Sequence, residues 1–337
     1  MFLTLIKVIM YTAVGALKAV LPTGFLPRKD VSNQIVLITG SASGIGRLFA
    51  VELSINIKVV VEKVMAVLMI KNKEMRRCDC YDRSIAGDTE FAKLGCRLVL
   101  WDINEVENAE TRRLVEEQGA KAFTYTVDLS KRIEIYKYAE KVKSNVGHVD
   151  VLISNAGVAN GKRFFESDDD ENMFVMDVNT NALFFLSKAF MPHMIENNQG
   201  HLVVVASIAG KLVISGLVDY CTSKHGAVGF SEALASELRT LKKDNVHVTT
   251  ICPFFIDTGM FHGVEKGLCG MFPILKPEYV VEQSMEAILT NKTTLCLPKA
   301  TYLALFFASF LPDNVQYLIG NYLGIIPVMD YFQGRKV

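Results

Sequence analysis

Three residues of the chain have types and spacing that could support proton transfer, namely Ser207, Tyr220 and Lys224. A Tyr and a Lys four positions apart share one face of a helix, so an ammonium group could stabilise the ionised phenol. Free Tyr titrates near ~10, and a neighbouring cation would bring its pKa towards neutrality. Ser207 could hydrogen-bond the same substrate oxygen. The set therefore predicts acid–base chemistry on a hydroxyl or carbonyl group.

The position of Ser207 supports this interpretation over a chance match. Tyr and Lys at this spacing recur by chance, and a Lys on an exposed helix is usually solvated. Ser207, however, follows the apolar run 202–206, which is typical of a buried parallel strand. That places Ser207 at the carboxyl end of a strand, where open α/β sheets bind ligands.

Size and composition favour one large domain. The chain has 337 residues, half of them apolar, and no net formal charge. Neutrality, and the lack of a basic run with interleaved aromatic residues, argue against nucleic acid as a partner. The histidines form no ligand-pair motif, so no metal site is expected. An odd number of scattered cysteines indicates reduced thiols and a chain that faces the cytosol. The cysteines are Cys78, Cys80, Cys96, Cys221, Cys252, Cys269 and Cys296.

Both ends of the chain are apolar. Within residues 1–29, only Lys7 and Lys18 interrupt an apolar stretch before Pro22, and the uncharged segment between them is too short to span a bilayer comfortably. We expect a membrane anchor there, either a helix in the membrane interface or a short signal anchor; a cleaved signal peptide is the alternative. The extension 301–337 contains two further short apolar runs, which could be core, a substrate lid or a second membrane contact.

Strand and helix signals alternate between residues 30 and 300. This alternation predicts a single α/β domain with a doubly wound parallel sheet of the Rossmann type. The predicted strands are 35–39, 97–101, 121–127, 149–154, 201–206 and 246–252, and the predicted helices are 106–118, 133–146, 171–197 and 220–242. The acidic run 168–171 is interpreted as a solvated helix cap.

The first predicted strand runs into a glycine-rich segment, Thr39 to Gly46, and then into a helix. Glycines at this junction let the backbone turn tightly and let a pyrophosphate approach the unpaired N–H groups of the helix. Asp102, after the second strand, could accept hydrogen bonds from an adenosine ribose. Because an acid there repels a 2'-phosphate, NAD is favoured over NADP.

The spacing between these two features is too long. Gly46 and Asp102 are 56 residues apart, where about 20 would suffice. The segment 51–54 is echoed by 89–92, 38 positions later, which indicates an insertion near 54–91 inside the first cofactor helix. The insertion could form a loop that projects from the surface, or it could be a product of the gene model or of splicing, such as a retained intron.

Together, these motifs resemble those of the short-chain dehydrogenase/reductase family from Gln34 to Pro298. The resemblance implies that Ser207 orients substrate, Tyr220 is the acid/base and Lys224 lowers the pKa of Tyr220 and holds the nicotinamide ribose. Asn179 resembles the fourth catalytic residue of the family, and Thr258 is available for the cofactor carboxamide. The implied cofactor-binding residues are Gly40, Ser43, Gly44, Ile45, Gly46, Asp102, Asp128, Leu129, Asn155, Ala156, Gly157, Tyr220, Lys224, Pro253, Ile256 and Thr258.

Residues 252–260 and the apolar amino terminus are similar to the membrane-associated branch of retinol and 17-beta-hydroxysteroid dehydrogenases. Phe254 stands where the wider family usually has Gly. The resemblance implies a lipophilic alcohol as substrate and an endoplasmic reticulum membrane or lipid droplet location, with the catalytic domain facing the cytosol. The long helices offer surfaces for a homodimer, and residues 259–277 would be a substrate lid.

The leading hypothesis is therefore NAD-dependent interconversion of a lipophilic alcohol, such as a retinoid or sterol, and its carbonyl. Two alternatives stay open. One is a carbonyl reductase that favours NADPH and uses the same residues in the reverse direction. The other is a non-catalytic lipid-surface or scaffold protein of the same fold, which the insertion would permit if it disrupts the dinucleotide pocket.

Overall fold

The structure is a computed structural model that describes residues 26–54, 96–258, 260 and 273–322. Several predictions fall outside these ranges: most of the amino-terminal anchor, nearly all of the insertion near 54–91, most of the lid and the end of the carboxyl-terminal extension.

Seven parallel strands form one sheet in the order β3-β2-β1-β4-β5-β6-β7. Helices cover the sheet, and this doubly wound arrangement confirms the predicted fold class. The strands are β1 (Ile35–Thr39), β2 (Arg97–Asp102), β3 (Lys121–Thr126), β4 (Val151–Ser154), β5 (Gly200–Val205), β6 (Val246–Pro253) and β7 (Thr294–Leu297).

The described helices follow the predicted alternation with strands. They are α1 (44–54), α2 (Glu105–Glu117), α3 (Arg132–Asn145), α4 (Asp169–Met176), α5 (Ala182–Glu196), α6 (Val218–Thr240), α7 (Pro277–Leu289), α8 (Thr301–Ala308) and α9 (Asp313–Tyr322). The sequence patterns did not predict β7 or α7. β7 has only four residues, so it offers too little alternation to be recognised.

Strand order defines where a ligand can bind. β1 pairs with β2 on one side and with β4 on the other, so the direction of winding reverses between β1 and β4. Every residue of β1 is buried, as expected of a central parallel strand covered on both faces. A crevice outside the carboxyl ends of β1 and β4 is therefore the expected ligand site.

The predicted helix 171–197 is divided into two. α4 ends at Met176, a π-helical turn covers Asp177–Asn181, and α5 then begins at Ala182. Single π turns inside helices are frequent at functional sites, and this one contains Asn179. At the start of α4, Asp168 and Glu171 form a reciprocal capping box, so the interpretation of the acidic run as a cap is confirmed.

The carboxyl-terminal extension is attached to the edge strand β7. The Tyr302 hydroxyl donates to the Thr294 carbonyl at 3.0 Å and accepts from the Cys296 amide at 3.0 Å. In α8 only Thr301 is buried, with Ala304 and Leu305 packed partly buried against the core, and in α9 no residue is buried. Most of the described part of this extension therefore lies at the surface. Among the described residues, no helix combines the length and apolarity needed to cross a membrane.

Candidate active site

Ser207, Tyr220 and Lys224 come together at the carboxyl end of β5. Ser207 lies two residues after the end of β5 and caps a short 3-10 turn, its Oγ accepting from the Ala209 amide at 3.1 Å and donating to the Pro253 carbonyl at 3.4 Å. Tyr220 and Lys224 lie one turn apart on α6, and both are buried. The predicted juxtaposition of the three side chains is thus present in the fold.

The pKa values of Tyr220 and Lys224 are governed by burial. The Lys224 ammonium donates to the Val205 carbonyl at 3.1 Å, and burial lowers its pKa to about 8. Burial raises the pKa of Tyr220, while a hydrogen bond with Ser207 acts in the opposite direction. Loss of solvent therefore disfavours the phenolate more than that hydrogen bond favours it. A lowering of the phenol's pKa by Lys224 stays a prediction.

Asn179 positions the backbone beside the catalytic residues. Its Oδ1 accepts from the Val158 amide at 2.8 Å, and its Nδ2 donates to the Val158 carbonyl at 2.9 Å and to Ser223 Oγ at 3.0 Å. Asn179 therefore ties the segment after β4 to α6, one residue before Lys224. A side chain with three such bonds holds its neighbours in place.

The glycine-rich segment forms a tight loop between β1 and α1. Gly40 and Gly44 have positive φ angles of 68° and 55°, which only glycine adopts without strain. A Cβ on Gly46 would lie 2.0 Å from the Gly40 carbonyl oxygen, so no larger residue fits there. Asn155 Nδ2 braces the loop by donating to the Thr39 and Gly40 carbonyls at 3.0 and 3.2 Å.

A single cavity of about 720 Å³ connects the glycine-rich loop with the Ser207, Tyr220 and Lys224 set. The predicted site residues that line it are Gly40, Ser43, Gly44, Ile45, Asp102, Asp128, Leu129, Asn155, Ala156, Gly157, Ser207, Tyr220, Lys224, Pro253, Ile256 and Thr258. Gly46 and Asn179 are not in the lining: Gly46 is packed against the loop itself, and Asn179 supports the wall from behind.

A family model described as short chain dehydrogenase matches residues 85–268, which is more than half of the chain and includes the Ser207, Tyr220 and Lys224 set. The chain belongs to the short-chain dehydrogenase family. It is 41% identical to epidermal retinol dehydrogenase 2 of Homo sapiens, covering 92% of this chain and 88% of the relative. It is 36% identical to retinol dehydrogenase 10 of Rattus norvegicus, covering 91% and 87% respectively.

Solved structures show the same fold. A short-chain dehydrogenase/reductase from Burkholderia phymatum in complex with NAD superposes with a TM-score of 0.64 at 22% identity, covering 86% of this chain and 96% of that one. A metagenomic short-chain oxidoreductase in complex with NADP gives a TM-score of 0.56 at 23% identity, covering 79% and 97%. With its family and site together, the chain is an alcohol dehydrogenase/reductase that uses NAD or NADP.

The residues of this short-chain dehydrogenase fit a dinucleotide. The cavity reaches Ser43, Gly44 and Ile45, where α1 begins and its unpaired N–H groups can bind a pyrophosphate. Asp102, at the end of β2, accepts from the Ala42 and Asn104 amides at 2.9 Å each. Burial acts to raise the pKa of Asp128, but hydrogen bonds from Ser130 and Lys131 outweigh it and lower that pKa.

Sequence reasoning missed the apolar part of the cavity wall. Its members come from the segment after β4, from α4 and the π turn, and from the segment between Ser207 and Tyr220: Val158, Phe174, Val178, Ile214 and Leu217. Ile214 and Leu217 could have been suspected from their position between two catalytic residues. For Phe174 and Val178 no such signal exists, because the path of the preceding loop decides that they face the cavity.

Proposed function

We propose that the protein is an NAD-dependent oxidoreductase that interconverts a lipophilic alcohol, such as a retinoid or sterol, and its carbonyl. The observation that carries this proposal is the shared cavity, in which the Ser207 hydroxyl and the Tyr220 phenol meet an apolar wall. The wall residues Val158, Phe174, Val178, Ile214 and Leu217 are all uncharged. A substrate whose only polar group is the reacting oxygen fits such a wall.

The chain's own residues bind and orient the reacting oxygen and move its proton. Ser207 donates to the substrate oxygen, and Tyr220 takes the hydroxyl proton during oxidation or gives it back during reduction. When bound, NAD supplies the hydride acceptor and, in its oxidised form, a positive charge. Asn179 bonds the Val158 backbone and Ser223, and we expect it to order a water chain that returns the proton to solvent.

Asp102 is the residue that supports NAD over NADP. It ends β2 beside the glycine-rich loop, lines the cavity and carries a carboxylate where the adenosine ribose is expected. A carboxylate repels a 2'-phosphate and accepts hydrogen bonds from 2'- and 3'-hydroxyls.

The substrate class also rests on the named relatives. Two of them are retinol dehydrogenases at 41% and 36% identity over most of the chain, and retinol is a long apolar alcohol. Such a substrate partitions into lipid, which supports an anchor within 1–29 and a location at the endoplasmic reticulum membrane or a lipid droplet, with the catalytic domain facing the cytosol. A homodimer through the long helices is part of the same proposal.

Purified full-length protein tests this function. Retinoids, sterols and fatty alcohols are each offered with NAD and with NADP, and the aldehyde or ketone product is measured. We expect turnover of at least one lipophilic alcohol with NAD. NADH binding without turnover of any alcohol or carbonyl would contradict the substrate class, and no NADH binding, seen as unchanged NADH fluorescence, would favour the scaffold alternative.

A further inference from the structure

Two aromatic rings stand out from the surface just before α4. The 3-10 turn Phe164–Glu166 leaves Phe164 48% exposed and Phe165 97% exposed, and their ring centroids are 5.3 Å apart. A large apolar side chain that water surrounds on nearly all sides is unfavourable unless another surface covers it.

The turn that presents these rings is braced by hydrogen bonds. Ser167 Oγ lies 2.9 Å from the Phe164 carbonyl and 3.0 Å from Asn172 Oδ1, and Asn160 Nδ2 donates to the same Oδ1 at 3.5 Å. Lys162 adds an ion pair with Glu171 at 2.6 Å. The backbone is therefore fixed to α4 while its rings point outward.

One exposed ring of the following helix also belongs to the wall of the cavity. On α4, Met173 is 56% exposed and Phe174 is 44% exposed, and Phe174 lines the cavity that contains Tyr220. Phe164, Phe165, Met173 and Phe174, called the mouth patch below, are the large apolar side chains exposed on the turn and on α4.

The charged side chains around the mouth patch indicate which lipid headgroups it can approach. Glu166 and the acidic residues 168–170 are exposed beside it. They outnumber the two neighbouring cations, Lys162, which pairs with Glu171, and the exposed Arg163. Acidic groups at this density repel anionic headgroups and are compatible with zwitterionic or neutral ones.

We propose that the mouth patch docks on a zwitterionic or neutral lipid surface, with Phe165 inserted among the acyl chains, so that substrate enters the cavity from lipid. The inference rests on the proposed function, because a lipophilic substrate reaches the site from a lipid phase. An amphipathic patch with exposed aromatic residues binds such an interface through apolar burial.

The chain offers a direct probe of insertion, because its single tryptophan, Trp101, is only 1% exposed. The variant Phe165→Trp adds a second tryptophan at the mouth patch. Val106→Trp is the matched control, since Val106 is 77% exposed on α2, a helix that does not belong to the patch. Each full-length variant is mixed with phosphatidylcholine vesicles whose acyl chains carry bromine, which quenches tryptophan within the hydrocarbon.

We expect emission from Phe165→Trp to fall on vesicle addition and emission from Val106→Trp to stay unchanged. Brominated phosphatidylserine vesicles should quench Phe165→Trp less. Unquenched Phe165→Trp on vesicles that the protein binds would overturn the proposal, and so would failure to bind vesicles. Neither the binding nor the quenching measurement requires turnover of an alcohol, so its outcome is independent of whether the proposed function fails.

Enzyme kinetics test whether the substrate enters the cavity from lipid. In Phe165→Ser, KM for a vesicle-dissolved retinol should rise several-fold while kcat is unchanged, and KM for a water-soluble short-chain alcohol should not move. An equal rise in both KM values would contradict entry from lipid, as would no rise in either.

Discussion

The Lys224 Nζ atom lies 5.6 Å from the centroid of the Tyr220 ring, and both side chains are buried. Burial disfavours both charged forms, raising the pKa of Tyr220 and lowering that of Lys224 to about 8. The cavity therefore sets the pKa values of both side chains, and a ligand that changes the charge or the solvent in the cavity will change both values.

Replacing Gly46 by Ala should weaken cofactor binding by roughly tenfold or more, or about 1.4 kcal/mol. The added Cβ would lie 2.0 Å from the Gly40 carbonyl oxygen, so the loop must shift. NADH affinity, measured by fluorescence titration, checks this. The control is Gly229→Ala on α6, where an added Cβ meets no atom within 4 Å. This substitution should raise the free energy of unfolding by about 0.5–1 kcal/mol. Equal NADH affinity in the two variants would contradict the account of the loop.

Replacing Asp102 by Ala should weaken NADH binding and narrow the preference for NADH over NADPH. The variant loses an acceptor for the ribose hydroxyls and the charge that repels a 2'-phosphate. Because Asp102 also accepts from the Ala42 amide, Asp102→Asn is the matched variant that keeps an acceptor oxygen without the charge. The dissociation constants of NADH and NADPH check this. An unchanged ratio of the two constants in Asp102→Ala would show that the carboxylate does not set the preference for NADH.

The partly buried Lys29 should make a contribution to stability that increases with pH between about 8 and 10. Its Nζ lies 2.6 Å from His201 Nδ1, and burial lowers its pKa from 10.5 to about 8. The unfolded chain keeps the proton in this window while the folded chain loses it, so the cost of a buried ammonium disappears as pH rises. Urea midpoints should therefore climb less with pH in Lys29→Met than in the wild type. Equal slopes would contradict this assignment.

Deleting residues 55–92 tests the proposed insertion in the first cofactor helix. The deletion restores the spacing of about 20 residues between the glycine-rich loop and Asp102 that a dinucleotide site requires. We expect the shortened chain to fold and to bind NADH at least as tightly as the full chain. Loss of folding would show that the segment is an integral part of the domain. Sequencing the transcript across codons 50–95 decides separately whether the segment is present in the dominant message.

Much of the site could be predicted because it depends on local pattern. Ser207 follows an apolar strand, Tyr220 and Lys224 are one helical turn apart, and Asp102 ends the next strand after the glycine-rich loop despite the long gap. What escaped prediction depends on tertiary packing. Phe174 and Ile214 face the cavity only because loops place them there, and the pKa of Tyr220 follows from a burial that no local pattern reveals.

The role of Tyr220 is tested by comparing wild type with Tyr220→Phe for turnover of a lipophilic alcohol with NAD and, in parallel, for NADH affinity. The variant keeps the ring but loses the hydroxyl that moves the proton. We expect turnover to fall by at least about 100-fold, in line with the loss of a general acid–base group, while NADH affinity stays within a few-fold. Turnover close to that of the wild type would contradict the assignment of Tyr220 as the acid/base.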